Sequence, residues 1–126
     1  MKEKTLEIGK SGENQAAEYL TSIGYTILAK NWRMGKYEID LIAENKETIL
    51  FVEVKTRSGF EIPVDRALRA QQKLNIIKSA NAYINDSQTM KEPRFDLITI
   101  FGFGNKTRLS HIESCFYPTL LSARSL

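Results

Sequence analysis

The segment Tyr37–Arg57, YEIDLIAENKETILFVEVKTR, constrains the fold more than any other part of the chain, because it is typical of a β-hairpin. Its arms are predicted at residues 36–43 and 48–56, where apolar and charged side chains alternate. Successive side chains of a strand point to opposite faces, so the alternation divides the hairpin into two different surfaces. A chain that contains this hairpin must cover at least one of these surfaces with other elements.

The register of the hairpin follows from its loop. A two-residue loop at Asn45–Lys46 and a four-residue loop over residues 44–47 give the same pairing, whereas a loop of odd length would separate the charged residues. In the predicted register Asp40 is opposite Phe51. Asp40 and Glu53 are then diagonal neighbours on one face, about 7–8 Å apart, and their carboxylates can converge on one ion.

The two faces predicted from this register differ in character. One is wholly apolar, with Ile39, Leu41, Ala43, Leu50, Val52 and Val54. The other is apolar near the turn and charged at its far end, with Glu38, Asp40, Ile42, Ile49, Phe51, Glu53 and Lys55. We therefore expect the first face to be core. The charged end of the second is either a solvated surface of ion pairs or part of a functional site.

Two predicted helices place further charges on apolar stripes. A helix predicted over residues 5–23 carries Glu13 on its apolar face. A helix predicted over 70–85 likewise carries Lys73 on its apolar face. A buried carboxylate must be paired, hydrogen-bonded or bound to a metal. The alternatives are that Glu13 complements the N-terminus of its helix and that Lys73 extends its amine to solvent.

The remaining elements complete the predicted fold. They are a strand over residues 25–32, a helical turn over 63–69 that begins at Pro63, and strands over 94–101 and 106–114. The order predicts an α/β or α+β domain, in which the first three strands form a meander and the fourth joins the sheet through a helical crossover. We expect a single domain over 1–126, with its core at about 8–112.

The composition excludes an intrachain disulfide and a long apolar membrane-spanning segment, and it permits an anionic partner. The chain has 126 residues, a net charge of +3 and a pI of about 9.0, which permits an anionic partner without requiring one. Cys115 is the only cysteine, so it is expected to be a small buried or half-buried apolar residue, and the lone His111 is expected on a strand at the surface. No apolar run reaches the length of a membrane span, which predicts a soluble, intracellular protein.

The charged end of the hairpin fits the hydrolysis of a phosphodiester. Asp40 and Glu53 provide the hard oxygen ligands that Mg²⁺ (or Mn²⁺) prefers, and the backbone carbonyl of Val54 is a third candidate ligand. The ion relieves charge on the phosphate, and Lys55 can orient the attacking water. Glu38 lies on the same face, and its role is left open.

The motifs IGKSGENQAAEYLTSIGYTILAKNWR, EIDLIA, FVEVKTR and RFDLITI resemble the YraN family (UPF0102) of small bacterial proteins, in the PD-(D/E)XK nuclease superfamily. These are similar to archaeal Holliday junction resolvases. The resemblance implies a restriction-endonuclease-like α-β-β-β-α-β core and a bacterial, cytoplasmic endonuclease that acts on branched or structured DNA. The residues that match the family's metal ligands, catalytic lysine and helix-borne phosphate contact are Glu13, Asp40, Glu53, Lys55 and Lys73. Tyr37 stands where the family usually has glycine.

Basic and aromatic residues around these motifs are candidate DNA contacts. The basic ones are Arg33, Lys36, Arg57, Arg66, Arg69 and Arg94, and each can also be ordinary solubilising charge. Trp32 and Phe60 are candidates for stacking on bases, although partial burial is the simpler expectation. A homodimer would suit a two-fold junction. The alternatives to a nuclease are a nucleic-acid-binding module with a silent site and an interaction protein that uses its sheet edge.

Overall fold

The computed structural model describes residues 2–58, 64–103 and 106–117. The helices are α1 (Lys2–Ser22), α2 (Val64–Ala67) and α3 (Ala70–Ser87). The strands are β1 (Thr26–Met34), β2 (Tyr37–Glu44), β3 (Thr48–Ser58), β4 (Glu92–Phe103) and β5 (Lys106–Phe116). Every predicted element is present, with ends that differ by up to three residues. Phe60 and Pro63 lie outside the described residues.

In the described residues, the five strands form one mixed sheet in the order β1-β2-β3-β4-β5. Neighbouring strands are antiparallel, except for β3 and β4, which are parallel. Parallel neighbours need a crossover, and the segment that contains α3 provides it. The structure confirms the predicted α+β fold, with three meander strands, a helical crossover and an α-β-β-β-α-β order.

The helices cover opposite faces of the sheet. Helix α1 packs over a cluster that contains Ala16, Ala17, Leu20, Leu41, Ala43, Leu50, Val52, Ile98 and Ile100. Helix α3 packs over a second cluster that contains Ile42, Ile49, Phe51, Ile76, Ile77, Ala80, Phe95 and Leu97. Both faces of the hairpin are therefore buried near its turn. One prediction is wrong: Ile39 belongs to the α3 cluster, because β2 leaves the regular ladder before it reaches this residue.

Helix α1 approaches the sheet closely at Gly12. A Cβ atom at this position would lie 2.7 Å from the Oγ1 atom of Thr56 and 3.5 Å from a side-chain carbon of Ile100. A side chain here would force α1 away from β3. The loss of helix propensity at this glycine, about 1 kcal/mol relative to alanine, is thus the cost of the close contact.

The observed hairpin register differs from the predicted one by two residues. The pairs run from Glu44–Ile49 to Leu41–Val52, and the backbone N–H of Asn45 donates to the carbonyl of Thr48 at 3.0 Å. The loop is therefore Lys46–Glu47, one position later than predicted. The side chain of Asn45 accepts hydrogen bonds from the backbone of Glu47 and Thr48, which fixes the turn there.

This correction strengthens the candidate site. The observed pairs end at Leu41–Val52, and an extension of this register would place Asp40 beside Glu53 and not beside Phe51. The two carboxylates lie close enough to interact with each other. A shift of two residues preserves the predicted faces within the regular ladder, whereas Ile39, beyond its end, changes face.

A buried polar cluster joins β4 and β5 to α1 on the face of the sheet that α1 covers. Asp96 is 1% exposed and accepts hydrogen bonds from Arg94 at 2.9 and 2.7 Å and from the backbone of Ser114 at 3.1 Å. The Nε2 atom of His111 lies 2.7 Å from Asp96, and its Nδ1 atom lies 2.9 Å from the hydroxyl of Tyr19.

Two predictions about this region are wrong. His111 lies on a strand, but its side chain is only 6% exposed because Tyr19 and Asp96 enclose it. Arg94 is paired with Asp96 and also bonds Tyr25, which packs on the cluster covered by α1, whereas the cavity beside Glu53 lies on the α3 side of the sheet. The half-buried position predicted for Cys115 is confirmed, and burial raises the pKa of its thiol to about 11.

A helix that crosses a bilayer must be both long and apolar. No helix in the described part of the chain meets both requirements.

Candidate active site

Asp40 separates β2 from β3 at the charged end of the hairpin. Hydrogen-bonded pairs alternate along an antiparallel ladder, so the pair after Leu41–Val52 that should exchange backbone hydrogen bonds is Ile39–Val54. Instead, the N–H of Val54 donates to Oδ2 of Asp40 at 2.9 Å. The carboxylate thus takes the place of a backbone acceptor and opens the sheet between the two strands.

Glu53 lies close to Asp40, and the two carboxylates interact. Its side chain is 23% exposed. Burial, first, and the neighbouring Asp40 carboxylate, second, raise the pKa of Glu53 to about 7, while Lys55 partly opposes the rise. Two carboxylates that cannot both ionise easily form a site that favours a proton or a cation between them.

Lys55 completes a compact group. Its Nζ atom lies 3.4 Å from Oε1 of Glu53, and its side chain is 16% exposed. The alternation of β3 places both residues on the same face, as predicted. This burial does not fit a solvated surface of ion pairs, which was the alternative interpretation of the charged face.

The donor chemistry of the group suits Mg²⁺ or Mn²⁺. Asp40 and Glu53 offer carboxylate oxygens, and Oδ2 of Asp40 is fixed by the backbone while Oδ1 remains to face an ion. The Val54 carbonyl points to the same side as its N–H, towards the opening between the strands, because the two groups of a strand residue point the same way. In residues 2–58, 64–103 and 106–117, no group of three or more His, Cys, Asp or Glu side chains is placed to hold a metal. Mg²⁺ commonly keeps several waters, so two carboxylates are sufficient ligands.

A cavity of about 450 Å³ opens beside the carboxylates. The sheet contributes Lys36, Tyr37, Glu38, Asp40 and Glu53 to its lining, and α3 contributes Gln72, Asn75, Ile76, Lys78 and Ser79. The backbone N–H of Glu38 donates to the hydroxyl of Ser79 at 3.3 Å, which ties the cavity's sheet wall to its helix wall. The cavity therefore has an acidic end on the strands and an uncharged or basic end on the helix.

The structure does not bring Glu13 or Lys73 to this cavity. Oε2 of Glu13 accepts a hydrogen bond from Asn31 at 2.8 Å. Asn31 lies in β1 between the pairs Lys30–Leu41 and Trp32–Ile39, so it is the neighbour of Asp40. Glu13 is thus linked to the strand that carries Asp40 through Asn31. Lys73 does not line the cavity.

The other predicted DNA contacts have varied positions. Lys36 lines the cavity, with its amine 5.7 Å from the centre of the Tyr37 ring. Arg33 forms an exposed ion pair with Glu38 at 3.6 Å, and Arg57 donates to the carbonyl of Thr56.

The last two basic candidates, Arg66 and Arg69, and the aromatic candidate Trp32 do not line the cavity. Arg66 is exposed, and Arg69 is exposed at the start of α3. Trp32 packs edge to face on Tyr83 at 5.4 Å between ring centres. It is partly buried, which confirms the simpler of its two expectations.

The sequence analysis missed the cavity residues of α3. Gln72, Asn75 and Ser79 recur at helical spacing, which places them on one face with Ile76. This polar stripe is visible in the sequence, but only the packing of α3 on β2 shows that it faces the carboxylates. Lys78 lies beside the stripe and also lines the cavity.

The fold and this group of residues define a class of protein: an α+β domain whose central hairpin carries two facing carboxylates and a lysine beside a cavity. The chain belongs to the UPF0102 family. Residues 12–100 match the model of that family, which is described as "Uncharacterised protein family UPF0102". The matched range includes Glu13, Asp40, Glu53 and Lys55, the four residues whose side chains are proposed above as metal ligands or catalytic groups.

Bacterial relatives support the same assignment. A UPF0102 protein of Bacteroides thetaiotaomicron is 40% identical over 116 residues, which cover 90% of this chain and 95% of the relative. A UPF0102 protein of Lawsonia intracellularis is also 40% identical over 116 residues, covering 90% and 87% of the two chains. These findings confirm the resemblance to UPF0102, and the bacterial sources agree with the bacterial origin that it implied.

Substitution of Glu53 by glutamine should change how stability depends on pH. A group whose pKa is raised on folding contributes stability below its unfolded pKa of about 4.5, and that contribution is lost as pH rises through about 7. In EDTA, Glu53→Gln should therefore raise the free energy of unfolding at pH 8, on the order of 2 kcal/mol, and have little effect at pH 5. Urea denaturation at both pH values measures the difference.

The exposed pair Arg33–Glu38 provides the control for this experiment. Glu38→Gln removes a carboxylate from the same face, but its effect should stay below about 1 kcal/mol at either pH because exposed pairs contribute little. A Glu53→Gln variant that is equally stable relative to wild type at pH 5 and pH 8 would contradict the assigned environment of Glu53.

Proposed function

We propose that this protein is a metal-dependent endonuclease of the PD-(D/E)XK superfamily that hydrolyses DNA phosphodiesters, with branched or structured DNA as its substrate. The observation that carries the proposal is the group formed by Asp40 and Glu53, which interact with each other and line one cavity, with Lys55 3.4 Å from Glu53. Such a group concentrates the ligands for a divalent ion and a lysine in one place.

Each residue has a distinct role in this proposal. Asp40 and Glu53 would hold Mg²⁺ or Mn²⁺, with the carbonyl of Val54 as a candidate third ligand. The ion would supply charge neutralisation at the phosphate and a more acidic water. Lys55 positions the attacking water and contacts the phosphate. The hydrogen bond from the Val54 N–H keeps the Asp40 carboxylate fixed, so that little reorganisation is needed when the substrate binds.

The charge of the chain is compatible with DNA as the partner. The net charge is +3, and Lys36 and Lys78 lie on the cavity wall. Contacts of this kind give affinity for phosphates without sequence preference. We extend the proposal to a homodimer acting in the bacterial cytoplasm, because a two-fold enzyme can cut paired strands of a junction.

Metal binding and cleavage test the proposal together. Asp40→Asn should weaken Mn²⁺ binding at least about tenfold, because a neutral amide replaces a charged ligand, and should abolish cleavage. Calorimetry measures the first effect. A panel of four-way junctions, flaps, nicked duplexes and single strands, each with Mg²⁺ and with Mn²⁺, measures the second.

Glu44→Gln is the matched control for Asp40→Asn. Glu44 lies on the same strand but pairs with Lys91 at 3.1 Å, away from the cavity. It should leave both metal binding and cleavage unchanged. Equal metal binding by wild type and Asp40→Asn would exclude the assigned metal site.

A nucleic-acid-binding module with a silent nuclease site is the second candidate. It is favoured by the position of Glu13, whose carboxylate is bound to Asn31 instead of joining the two facing carboxylates. If the protein binds branched DNA in a salt-sensitive way, but cleaves no member of the panel with either metal, this candidate replaces the nuclease.

A further inference from the structure

The cavity beside the carboxylates has two ends of opposite chemistry. Asp40, Glu53 and Glu38 lie at the strand end. Gln72, Asn75 and Lys78 lie on the helix wall, and none of these three side chains carries a negative charge. The proposed hydrolysis uses only the strand end, so the helix wall has no role yet.

The amide side chains of the helix wall present hydrogen-bond donors. Oε1 of Gln72 accepts from the backbone N–H of Arg69 at 3.0 Å, and Oδ1 of Asn75 accepts from the side chain of Gln71 at 3.0 Å. Each oxygen is therefore occupied within the helix. The amino groups are the parts that these two residues offer to a ligand.

The donors belong together with two lysines. Lys78 lies on the helix wall, and Lys36 lies across from it on the sheet wall. A wall made of amide N–H groups and ammonium groups suits an anionic acceptor such as a phosphate, because charge-assisted hydrogen bonds are stronger than neutral ones. Protein carboxylates are confined to the other end.

The size and lining of the cavity indicate more than a phosphate alone. Its volume of about 450 Å³ lies within the range of sites for small organic ligands. Tyr37, half-buried in the lining, offers an aromatic ring on which a base can stack. A base within an intact duplex is already stacked and paired, so only an unpaired nucleotide can enter such a concave site.

We propose that the helix wall of the cavity is a subsite for one unpaired nucleotide next to the scissile phosphate. Lys78, Gln72 and Asn75 bind the phosphate of this nucleotide, and Tyr37 contacts its base. The proposal rests on the proposed function, since the carboxylate end is taken as the place of hydrolysis. It narrows the substrate to nucleic acid with a single-stranded segment at the cut, and it assigns the phosphate contact of α3 to Lys78 and not to Lys73.

Binding without metal tests the subsite independently of catalysis. Fluorescence anisotropy in EDTA should follow two probes, a short labelled oligothymidylate and a short labelled hairpin duplex. Lys78→Ala should weaken binding of the oligothymidylate about tenfold, the loss of one charge-assisted hydrogen bond. It should also reduce the slope of log affinity against log salt by about 0.7. The double substitution Gln72→Ala/Asn75→Ala should have a similar effect on affinity and leave the slope unchanged.

Two lysines serve as comparisons. Lys46 lies exposed in the β2–β3 turn, away from the cavity, and Lys46→Ala should change the affinity less than about twofold. Lys73→Ala should behave like Lys46→Ala. Thermal unfolding of each variant shows whether it is folded, and the double amide variant provides a second test should Lys78→Ala not fold.

The results separate this proposal from the proposed function. If Lys78→Ala weakens binding of the single strand more than binding of the duplex, the subsite is supported, whether or not wild type cleaves any DNA. Equal weakening with both probes, an effect at Lys73 in place of Lys78, or no binding of the oligothymidylate by wild type would overturn the subsite. Cleavage of junction DNA that persists unchanged in Lys78→Ala would leave the nuclease proposal standing without it.

Discussion

Replacement of Lys55 by alanine should reduce metal-dependent cleavage on the order of 10³-fold, in line with the loss of a group that assists proton transfer or orients water. The side chain is mostly buried and lies 3.4 Å from Glu53, so no exposed lysine can take its place. The rate of single-turnover cleavage, measured on the substrate that wild type cuts best, gives the comparison. DNA binding in EDTA should fall by less than about threefold, because most phosphate contacts remain.

The pair Lys91–Glu44 is a natural control for Lys55–Glu53. It is also a half-buried lysine–glutamate pair of this sheet, at 3.1 Å, but it lies at the turn end of the hairpin. Lys91→Ala removes the same charge and should leave the cleavage rate within about twofold of wild type. Equal rates for Lys55→Ala and wild type would exclude a catalytic role for Lys55. Equal losses in both lysine variants would instead indicate a general effect on stability or charge.

The effect of Lys55→Ala also distinguishes two roles within the nuclease proposal. If Lys55 acts on the water and the phosphate, Mn²⁺ affinity should stay the same or rise, since a positive charge beside Glu53 has been removed. If Lys55 only holds Glu53 in place, Mn²⁺ affinity should fall together with the cleavage rate. Calorimetry on the same preparation decides between them.

The hairpin shows what alternation in a sequence can and cannot establish. Its period of two assigned Asp40, Glu53 and Lys55 to one face, and in the structure Asp40 and Glu53 line one cavity while Lys55 pairs with Glu53. It could not establish the register, because shifts of two residues preserve the faces. The decisive interaction was the side chain of Asn45 bonded to the backbone of Glu47 and Thr48, which moves the turn by one position. Recognition of this Asx turn would have given the observed pairing, from Glu44–Ile49 to Leu41–Val52, from the sequence.

The residues of α3 show a different limit. The periodicity of the helix predicted its buried stripe, including Ile77 and Ala80, and both are buried. It gave no information on which polar flank of the helix faces β2. Lys73 was selected because it lies on the apolar stripe and matches the helix-borne polar residue of the family, whereas the structure places Lys78 at the cavity. The rotation of a helix about its axis depends on packing against residues far away in the chain, and a single sequence does not contain that information in readable form.

Asp96 is the clearest case of a residue whose importance the sequence did not reveal. RFDLITI predicted a strand, but an aspartate within it carried no indication of its partners, because His111 and Ser114 lie on the next strand and Arg94 lies two residues away. Although burial by itself raises the pKa of Asp96, the hydrogen bonds from His111 and Arg94 outweigh it and hold the pKa below its ordinary value. The carboxylate is thus stabilised in its charged form.

Replacement of Asp96 by asparagine should lower the free energy of unfolding by about 3–5 kcal/mol at pH 7. An amide cannot accept hydrogen bonds from Arg94, His111 and Ser114 together, and it leaves the Arg94 cation partly buried without its counter-charge. Urea denaturation measures the loss. Because the folded pKa of Asp96 is lowered, its contribution is present above the unfolded pKa of about 3.8 and is lost as pH falls through the folded value. The difference in the free energy of unfolding between wild type and Asp96→Asn should therefore become smaller in strong acid.

Glu113 provides the control for this loss. Its carboxylate lies 3.7 Å from the same Arg94 guanidinium, but its side chain is 59% exposed. Glu113→Gln should cost less than about 1 kcal/mol, as for other solvent-exposed ion pairs. Similar losses of unfolding free energy for Asp96→Asn and Glu113→Gln would show that burial does not determine how much the cluster contributes to stability. A large loss confined to Asp96 would show that this cluster fixes β5 and α1 on the sheet. Asp96 pairs with Val52, the residue before Glu53, but its partners lie on the α1 side of the sheet, whereas Glu53 lines the cavity on the α3 side. Stability and the proposed catalysis would then depend on separate groups of charged residues on the two faces of the same strands.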